Sequence, residues 1–263
     1  MTNINKHAPG SFCWIELGTT DQEAAKNFYT QFFGWSVNDV LVGPNDLYSM
    51  FQLEARDVGA AYTLRPEQRA QGAPPHWMVY IAVESADDTA KKAAALGANI
   101  LVHPFNVSDV GRMAVIQDPT GPVFSVWQAG KHIGMRIAGV DGTFAWAALT
   151  TPAIERAKQF YSSLFGWTIA AIDPDPTPHL RISNGEQPIG AITPLPPQHD
   201  PEVPPHWLVY FEVSDCEAAA AKAERLTAKF HLRPTVIPHV GRVAILSDPE
   251  GAAFALVQSD LHL

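Results

Sequence analysis

Residues 28–35 read Phe-Tyr-Thr-Gln-Phe-Phe-Gly-Trp, and 132 positions later residues 160–167 read Phe-Tyr-Ser-Ser-Leu-Phe-Gly-Trp. The repetition continues outward from this stretch in the same order. Its other blocks are Phe12-x-Trp14 with Phe144-x-Trp146, Pro-Pro-His-Trp at 74–77 and 204–207, and Gly-Arg with Asp-Pro-x-Gly at 111–121 and 241–251. A repeat unit of roughly 130 residues has the size of a domain. We therefore place two homologous domains at residues 10–129 and 142–259, joined by a glycine-containing linker.

Each half is predicted to contain two βαβββ modules, which gives an α+β fold. Residues 13–19 alternate in the pattern of a strand. The helix that follows has an apolar stripe of Ala, Phe, Tyr and Phe, a capping box at Thr20-x-x-Glu23, and Gly34 at its end. The module after it opens with a strand at residues 76–83, and a helix begins near Ser85.

The composition excludes several classes of protein. The formal net charge of −9, with no cluster of Lys or Arg, argues against a nucleic-acid or anionic-membrane binder. Cys13 and Cys216 match no metal or redox spacing, which favours a cytoplasmic setting. No signal peptide and no stretch of eighteen apolar residues is found. We expect a monomer or homodimer that binds a small molecule.

The order of these motifs resembles the vicinal-oxygen-chelate family of glyoxalases, bleomycin-resistance proteins and dioxygenases. Phe-Tyr on the first helix, Gly-Trp after it and the Asp-Pro-x-Gly turn carry the resemblance. Tyr48-Ser49-Met50, Gly111-Arg112-Met113 and His132-Ile133-Gly134 are similar to a two-half group common in actinobacteria, whose members are described as antibiotic-pathway hydroxylases or secreted-fraction antigens. The resemblance implies two tandem glyoxalase-like domains with cupped mixed sheets. In this family the cup holds a metal and the substrate.

The positions that carry metal ligands in this family hold other residues here. They are Trp14, Met78, Ser125, Trp146, Leu208 and Ala255, with two more around Tyr62 and Thr193. Transition metals need imidazole, carboxylate or thiolate donors, and these side chains supply none. We therefore expect no metal and no other cofactor.

Strand alternation predicts which residues line the two cups. The first cup is predicted to present Trp14, Glu16, Met78, Tyr80, Ser125 and Trp127, and the second Trp146, Leu208, Tyr210, Ala255 and Val257. Tyr48, Met50 and Tyr62 are further candidates for ligand binding in the first cup. An apolar cavity with a few convergent polar groups is the usual small-molecule site. The alternative is that Trp14 and Trp146 fill the holes that metals occupy in relatives.

Glu16, His76 and Tyr80 are the candidate catalytic residues. A carboxylate that faces a cup must be paired, bound to a ligand or raised in pKa, and in the last case it can act as a general base. The alternatives are that Glu16 reaches solvent or pairs with Arg112. His76 and Tyr80 have counterparts in His206 and Tyr210, which also allows a structural role.

Arg112 follows Gly at the start of a strand and is a candidate for binding an anionic ligand group. The alternative, which we prefer, is an ion pair of Arg112 with Asp118, matched in the second half by Arg242 with Asp248.

Three functions follow from these residues. The first is a metal-independent protein that binds an aromatic or polycyclic molecule, as a binder or as a cofactor-free enzyme of specialised metabolism or detoxification. The second is a metal-dependent glyoxalase-like lyase, isomerase or dioxygenase with unorthodox ligands such as Glu16 and His76. The third is an interaction protein with vestigial cups.

Overall fold

The computed structural model describes residues 3–44, 46–70, 72–171, 179–195 and 203–260. Its two halves have the same architecture, and four βαβββ modules are present, two in each half. The fold class predicted from the repeated motifs is confirmed.

The described residues of the first half form eight strands and three helices. They are β1 (Phe12–Thr19), α1 (Gln22–Phe33), β2 (Ser36–Leu41), β3 (Leu47–Leu53), β4 (Arg56–Thr63), α2 (Pro66–Ala70), β5 (His76–Ala82), α3 (Ala86–Ala95), β6 (Asn99–Val107), β7 (Gly111–Gln117) and β8 (Val123–Ala129). The short helix α2 is an addition to the predicted pattern, between the two modules.

The second half repeats this order, except that its described residues contain no counterpart of α2. Its elements are β9 (Phe144–Thr150), α4 (Ile154–Phe165), β10 (Thr168–Ala171), β11 (Leu180–Asn184), β12 (Gln187–Thr193), β13 (His206–Glu212), α5 (Cys216–Arg225), β14 (Lys229–Ile237), β15 (Gly241–Ser247) and β16 (Ala253–Ser259).

Each half forms its own eight-stranded sheet. The strand order is β2-β3-β4-β1-β5-β8-β7-β6 in the first half and β10-β11-β12-β9-β13-β16-β15-β14 in the second. The two modules of a half meet at an antiparallel central pair, β1 with β5 and β9 with β13, and each central strand also has a parallel neighbour. The modules therefore pair within halves, so each cup is built from one half.

The helix-bearing faces of the two sheets pack against each other. Phe28, Phe32 and Phe33 of α1 contact Phe254 of the second sheet, and Phe33 also contacts Phe211. Helix α4 makes the equivalent contacts with Phe124 of the first sheet. The opposite faces of the two sheets, which we call the concave faces because the resemblance implies cupped sheets, consequently point away from each other.

Two chains of hydrogen bonds link the halves. Trp77 Nε1 donates to Tyr29 Oη (3.0 Å), which donates to Asp248 Oδ2 in the other half (3.0 Å). The second chain has the same three residue types: Trp207 Nε1 donates to Tyr161 Oη (3.1 Å), which donates to Asp118 Oδ2 (2.7 Å). The Phe-Tyr and Asp-Pro-x-Gly motifs thus meet across the interface.

Of the two helix caps predicted in the first half, the cap of α1 lies one residue from its predicted position and the cap of α3 is as predicted. The predicted box at Thr20-x-x-Glu23 is wrong, because Asp21 is the N-cap of α1 and its Oδ1 accepts from Ala24 N at 2.9 Å. Ser85 caps α3 as expected. Gly34 ends α1 in the left-handed conformation, with φ of 73°, which a side chain would disfavour.

Residues 130–142, predicted as a linker, have no helix or strand but pack closely on the first half. Met135 and Ile137 are buried, and Met135 N donates to Cys13 O at 2.8 Å. Gly134 has a φ of +107°, and a Cβ at this position would lie 2.1 Å from Cys13 O. The segment is therefore fixed along β1.

No helix in the described part of the chain is long and apolar enough to cross a membrane.

Candidate functional site

The concave face of the first sheet gathers the residues that alternation predicted. In register, Trp14 lies opposite Tyr80 and Glu16 lies opposite Met78, while Tyr80 is paired with Ser125 on its other side. Residues directly opposite each other in neighbouring strands share a face of the sheet. The same pairing carries this face from Glu16 through Ala60 to Met50, and from Tyr62 to Tyr48.

The carboxylate of Glu16 is held by two tyrosines. Tyr48 Oη donates to Glu16 Oε2 at 2.6 Å, and Tyr80 Oη donates to Glu16 Oε1 at 3.0 Å. Trp14 Nε1 donates in turn to Tyr48 Oη at 2.9 Å. Strands β1, β3 and β5 thus fix the carboxylate, its two tyrosine donors and the tryptophan that donates to Tyr48 near the middle of the cup. The predicted alternative of a Glu16–Arg112 pair is wrong.

The surroundings of Glu16 in the cup change the pKa of its carboxyl group. Burial raises the pKa of Glu16, while the hydrogen bonds from Tyr48 and Tyr80 and the positive charge of Arg65 counteract the rise. Burial and the nearby Glu16 carboxylate raise the pKa values of Tyr48 and Tyr80 well above the ordinary value. Both tyrosines therefore remain hydrogen-bond donors at neutral pH.

A second aromatic group closes one end of the cup. His132 lies edge-on to Trp14, with ring centroids 4.7 Å apart, and its backbone carbonyl accepts from Trp127 Nε1 at 2.9 Å. Trp127 lies over Gly111, where a Cβ would be 2.2 Å from the indole ring. Gly111, which the repeated Gly-Arg motif singles out, is therefore needed for the position of Trp127.

The floor of the cup is filled by its own side chains. Trp14, Tyr80, Ser125 and Trp127 are at most 6% exposed. Glu16, Tyr48, Met50, Tyr62 and Met78 remain partly exposed on the same face. A ligand on this face would therefore contact a carboxylate, two thioethers and two tyrosines, and would meet the buried tryptophans only if they moved.

Tyr62 and His76 lie at one end of this face, on either side of Gly18. Tyr62 Oη accepts from Gln68 Nε2 of α2 at 3.0 Å, and a Cβ at Gly18 would be 3.0 Å from that hydroxyl. His76 is paired with Gly18, and its Nδ1 is 2.8 Å from Pro74 O. Burial lowers the pKa of His76. His76 is thus two residues along β5 from Met78, and the structure records no hydrogen bond between it and Glu16.

Arg112 is not part of the cup. Its Nε and Nη2 donate to the two carboxylate oxygens of Asp87 at 2.6 and 2.8 Å, on the helix-bearing side of the sheet. The predicted pairing with Asp118 is also wrong, because Asp118 accepts from Thr120 and Tyr161. Arg242 likewise pairs with Glu217 instead of Asp248.

The donor set of the first cup does not fit the family's metal. Trp14, Met78 and Ser125 stand on the concave face at the positions where the resemblance places ligands, and Glu16 is the nearby carboxylate. Within the residues that the structure describes, no three His, Cys, Asp or Glu side chains are grouped to hold a metal ion. A divalent transition metal takes three or more such protein ligands in catalytic sites.

Several cup residues were not predicted from the sequence. Met113 is paired with Trp127 and Val115 with Ser125, and both are partly exposed on the concave face. Beyond them, Val102 and Phe105 of β6 are each 41% exposed at the edge. Alternation in β7 would have found Met113 and Val115, whereas the register shifts in β6 hide the other two.

The second cup has the same backbone and different chemistry. Ala148 occupies the place of Glu16, and Ala255 and Val257 occupy those of Ser125 and Trp127. Trp146 and Tyr210 are partly exposed, with ring centroids 6.2 Å apart. Leu208, Ala255 and Val257 are buried.

Two βαβββ modules joined into one cupped sheet, repeated in tandem, define a glyoxalase-like protein. The model of the Glyoxalase/Bleomycin resistance protein/Dioxygenase superfamily matches residues 11–126 and 143–256. The chain belongs to this superfamily.

Two relatives match over nearly the full chain. CFP32 of Mycobacterium tuberculosis, described as a candidate glyoxylase, is 38% identical over 98% of this chain and 98% of its own. The anthracycline biosynthesis protein DnrV of Streptomyces peucetius is 32% identical over 97% of this chain and 95% of its own.

Solved structures share the fold at low identity. The complex of homoprotocatechuate 2,3-dioxygenase from Brevibacterium fuscum with 3,4-dihydroxyphenylacetate has a TM-score of 0.65 at 16% identity, covering 97% of this chain and 83% of that one. The Mn(II)-bound glyoxalase from Novosphingobium aromaticivorans has a TM-score of 0.63 at 16% identity, covering 97% and 86%.

Proposed function

We propose that the first cup binds a flat, hydroxylated aromatic molecule without the help of a metal, and that Glu16 receives a hydrogen bond or a proton from it. The observation that carries this proposal is the Glu16 carboxylate, held by Tyr48 and Tyr80 on a face otherwise made of thioethers and aromatic rings. A carboxylate has about four lone-pair positions, and the two tyrosines use two of them. Acceptor capacity therefore remains for a ligand hydroxyl.

The surrounding side chains suit an aromatic ligand. Met78 lies directly opposite Glu16 on one side, and Met50 lies on the other side, with Ala60 of β4 between it and Glu16. Thioethers contact aromatic rings favourably. Val102 and Phe105 extend the apolar surface at the edge. The counterparts of Glu16, Ser125 and Trp127 in the second cup are all aliphatic, which favours the first cup as the site for a hydroxylated ligand.

The arrangement also supports proton transfer. A ligand with an acidic proton beside a carbonyl would place that proton near Glu16, the candidate general base, whose pKa burial raises. Tyr48 and Tyr80 hold the carboxylate in place and remain protonated, so they stay donors throughout. His76, with its Nδ1 at Pro74 O, would act at the rim and not on the same proton.

The relatives are consistent with this ligand class. DnrV is named for anthracycline biosynthesis, and the dioxygenase complex contains a dihydroxylated aromatic acid. A role in specialised metabolism or detoxification, inside the cytoplasm, fits this class of ligand and the two buried free thiols, Cys13 and Cys216.

Calorimetric titration with 1,8-dihydroxyanthraquinone tests the proposal. We expect binding in the presence of EDTA, and Glu16→Gln and Tyr80→Phe should each weaken it at least tenfold. Tyr210→Phe is the matched control, since it makes the same change in the second cup, and it should leave the affinity unchanged. Equal affinity in Glu16→Gln and the parent protein, or no binding at all, would refute the proposal.

A further inference from the structure

Compared with the first cup, the second cup lacks hydrogen-bond acceptors but keeps the hydrogen-bond donors. In the first half Trp14 Nε1 donates to Tyr48, and Tyr80 donates to Glu16. In the second half Trp146 and Tyr210 remain, but Ala148 replaces Glu16 and His179 stands at the position of Tyr48. Trp146 Nε1 is buried and has no hydrogen-bond partner among the residues that the structure describes. A buried donor without a partner is rare in folded proteins.

Tyr210 is the second donor on this face. Its ring lies at a near-right angle to Trp146, and no described residue accepts a hydrogen bond from its hydroxyl. Burial raises the pKa of Tyr210 to about 12, so the hydroxyl stays protonated at neutral pH. Two aromatic donors therefore lie side by side in one cup.

A positive charge replaces an apolar side chain on the same face. Arg181 of β11 is paired with Ala191, which is paired with Ala148, so Arg181 lies on the concave face at the position of Met50. It is exposed, and it has no carboxylate partner among the described residues. Between the cups, Glu16 becomes Ala148 and Met50 becomes Arg181, which reverses the formal charge at these two positions.

One carboxylate lies farther along this cup and is already engaged. Glu212, at the end of β13, accepts from Ser259 N at 3.1 Å and from Ser259 Oγ at 2.9 Å. It is paired with Val257, on the far side of Tyr210 from Arg181. Its hydrogen bonds hold it at the edge of the sheet, so within the described part of the chain no carboxylate neutralises Arg181.

We propose that the second cup is a separate binding site for an aromatic carboxylate. The carboxylate pairs with Arg181 and also accepts from Trp146 Nε1 and Tyr210 Oη, and the ring lies on the aliphatic floor of Leu208, Ala255 and Val257. An arginine forms strong, paired hydrogen bonds with a carboxylate. Glu16 in the first cup repels the carboxylate of the same ligand. The first cup therefore selects a ligand that donates a hydrogen bond, and the second cup selects an anionic ligand.

The test is titration of the full chain with 2-naphthoate, and with 2-naphthamide as a neutral molecule of the same shape. Arg181→Met introduces the residue of the first cup, and Trp146→Phe removes the N–H while keeping an aromatic ring. We expect Arg181→Met to weaken 2-naphthoate binding at least tenfold and 2-naphthamide binding less than twofold. Trp146→Phe should weaken both ligands several-fold.

Glu16→Gln separates this proposal from the one for the first cup, because it should leave 2-naphthoate binding unchanged or slightly improved. Thermal unfolding of each variant verifies that it is folded. The proposal is overturned if 2-naphthoate does not bind at millimolar concentration, if Arg181→Met and Trp146→Phe bind it like the parent, or if Glu16→Gln abolishes binding. None of these results depends on whether 1,8-dihydroxyanthraquinone binds the first cup.

Discussion

Tyr29 donates a hydrogen bond to Asp248 across the interface between the halves, and Tyr161 makes the equivalent bond to Asp118. Each Asp belongs to the Asp-Pro-x-Gly turn of one half, and each Tyr to the first helix of the other. Burial raises the pKa values of both Asp side chains, and the tyrosine hydroxyls counteract the rise. The repeated Phe-Tyr and Asp-Pro-x-Gly motifs are therefore explained by contacts between the halves and not by chemistry in the cups.

Tyr29→Phe should reduce the free energy of unfolding by about 1–3 kcal/mol, because it removes a donor from a buried carboxylate. Urea unfolding measures the change, and Tyr161→Phe should give a loss of similar size. Combining Tyr29→Phe with Asp248→Asn should cost less than the sum of the single changes. Strict additivity would show that the bond between these residues contributes nothing.

Gly134→Ala should destabilise the protein by about 3 kcal/mol or more, since the new Cβ would overlap a backbone carbonyl and the residue has a positive φ. Gly139→Ala is the matched control: Gly139 has a φ of +70° but nothing within 4 Å of its Cβ position. That change should cost only about 1 kcal/mol. Thermal and urea unfolding compare the two, and equal losses would contradict close packing of residues 130–142 on the first half.

Glu16→Gln should become more stabilising, relative to the parent protein, as the pH rises. Burial raises the pKa of Glu16 in the folded protein, so the folded state holds this proton more tightly than the unfolded chain does. Its contribution to stability is therefore lost as the pH rises from about 4.3, the ordinary value for Glu, to the raised value. Gln has no proton to lose.

Urea unfolding at several pH values between 4 and 8 would reveal this trend, which should level off above the raised pKa of Glu16. The same substitution at Glu84, an exposed residue, controls for the general effect of removing a negative charge. A shift in favour of the parent at high pH would show that the fold stabilises the Glu16 anion, and a constant difference would show that folding leaves the pKa of Glu16 unchanged; either result would contradict the prediction.

The purified protein should contain no stoichiometric transition metal in a cup, because the expected ligand positions hold Trp14, Met78, Ser125, Trp146, Leu208 and Ala255. Elemental analysis of protein purified without added ions provides the measurement. One tightly bound Zn, Ni, Fe or Mn ion per chain, placed in a cup by spectroscopy or by loss on mutation of Glu16, would prove this prediction wrong. Ions held by a purification tag do not count.

Isomerisation of the glutathione hemithioacetal should be absent or very slow. Metal-dependent glyoxalases stabilise the enediolate with the metal, an effect worth several kcal/mol of the barrier. Glu16 alone can take a proton but offers no equivalent charge stabilisation. The standard absorbance assay, with and without chelator, measures this rate. A rate equal to that of a metal-dependent glyoxalase would contradict the prediction that the cup cannot stabilise the enediolate.

The sequence predicted the fold well because the fold depends on repeated local patterns. Alternation also placed Trp14, Glu16, Met78, Tyr80, Ser125 and Trp127 on one face, as the strand register shows. It could not predict that Tyr48 reaches Glu16, because β3 and β1 are separated by β4 and the contact depends on how strongly the sheet curls. Arg112 was misplaced for a related reason: its partner Asp87 lies on α3, whose position over the sheet is a tertiary feature. The roles of Glu16, His76 and Tyr80 stay predictions.

The reciprocal packing of α1 and α4 has a consequence for how such a chain arose and how it folds during synthesis. Helix α1 places three phenylalanines against the sheet of the other half, and α4 reciprocates, so neither half completes a hydrophobic core alone. The segment that was duplicated is therefore shorter than the segment that folds. When only the first half has been synthesised, the aromatic face of its sheet is still uncovered. The complete protein corresponds to a symmetric dimer whose two subunits have been joined into one polypeptide.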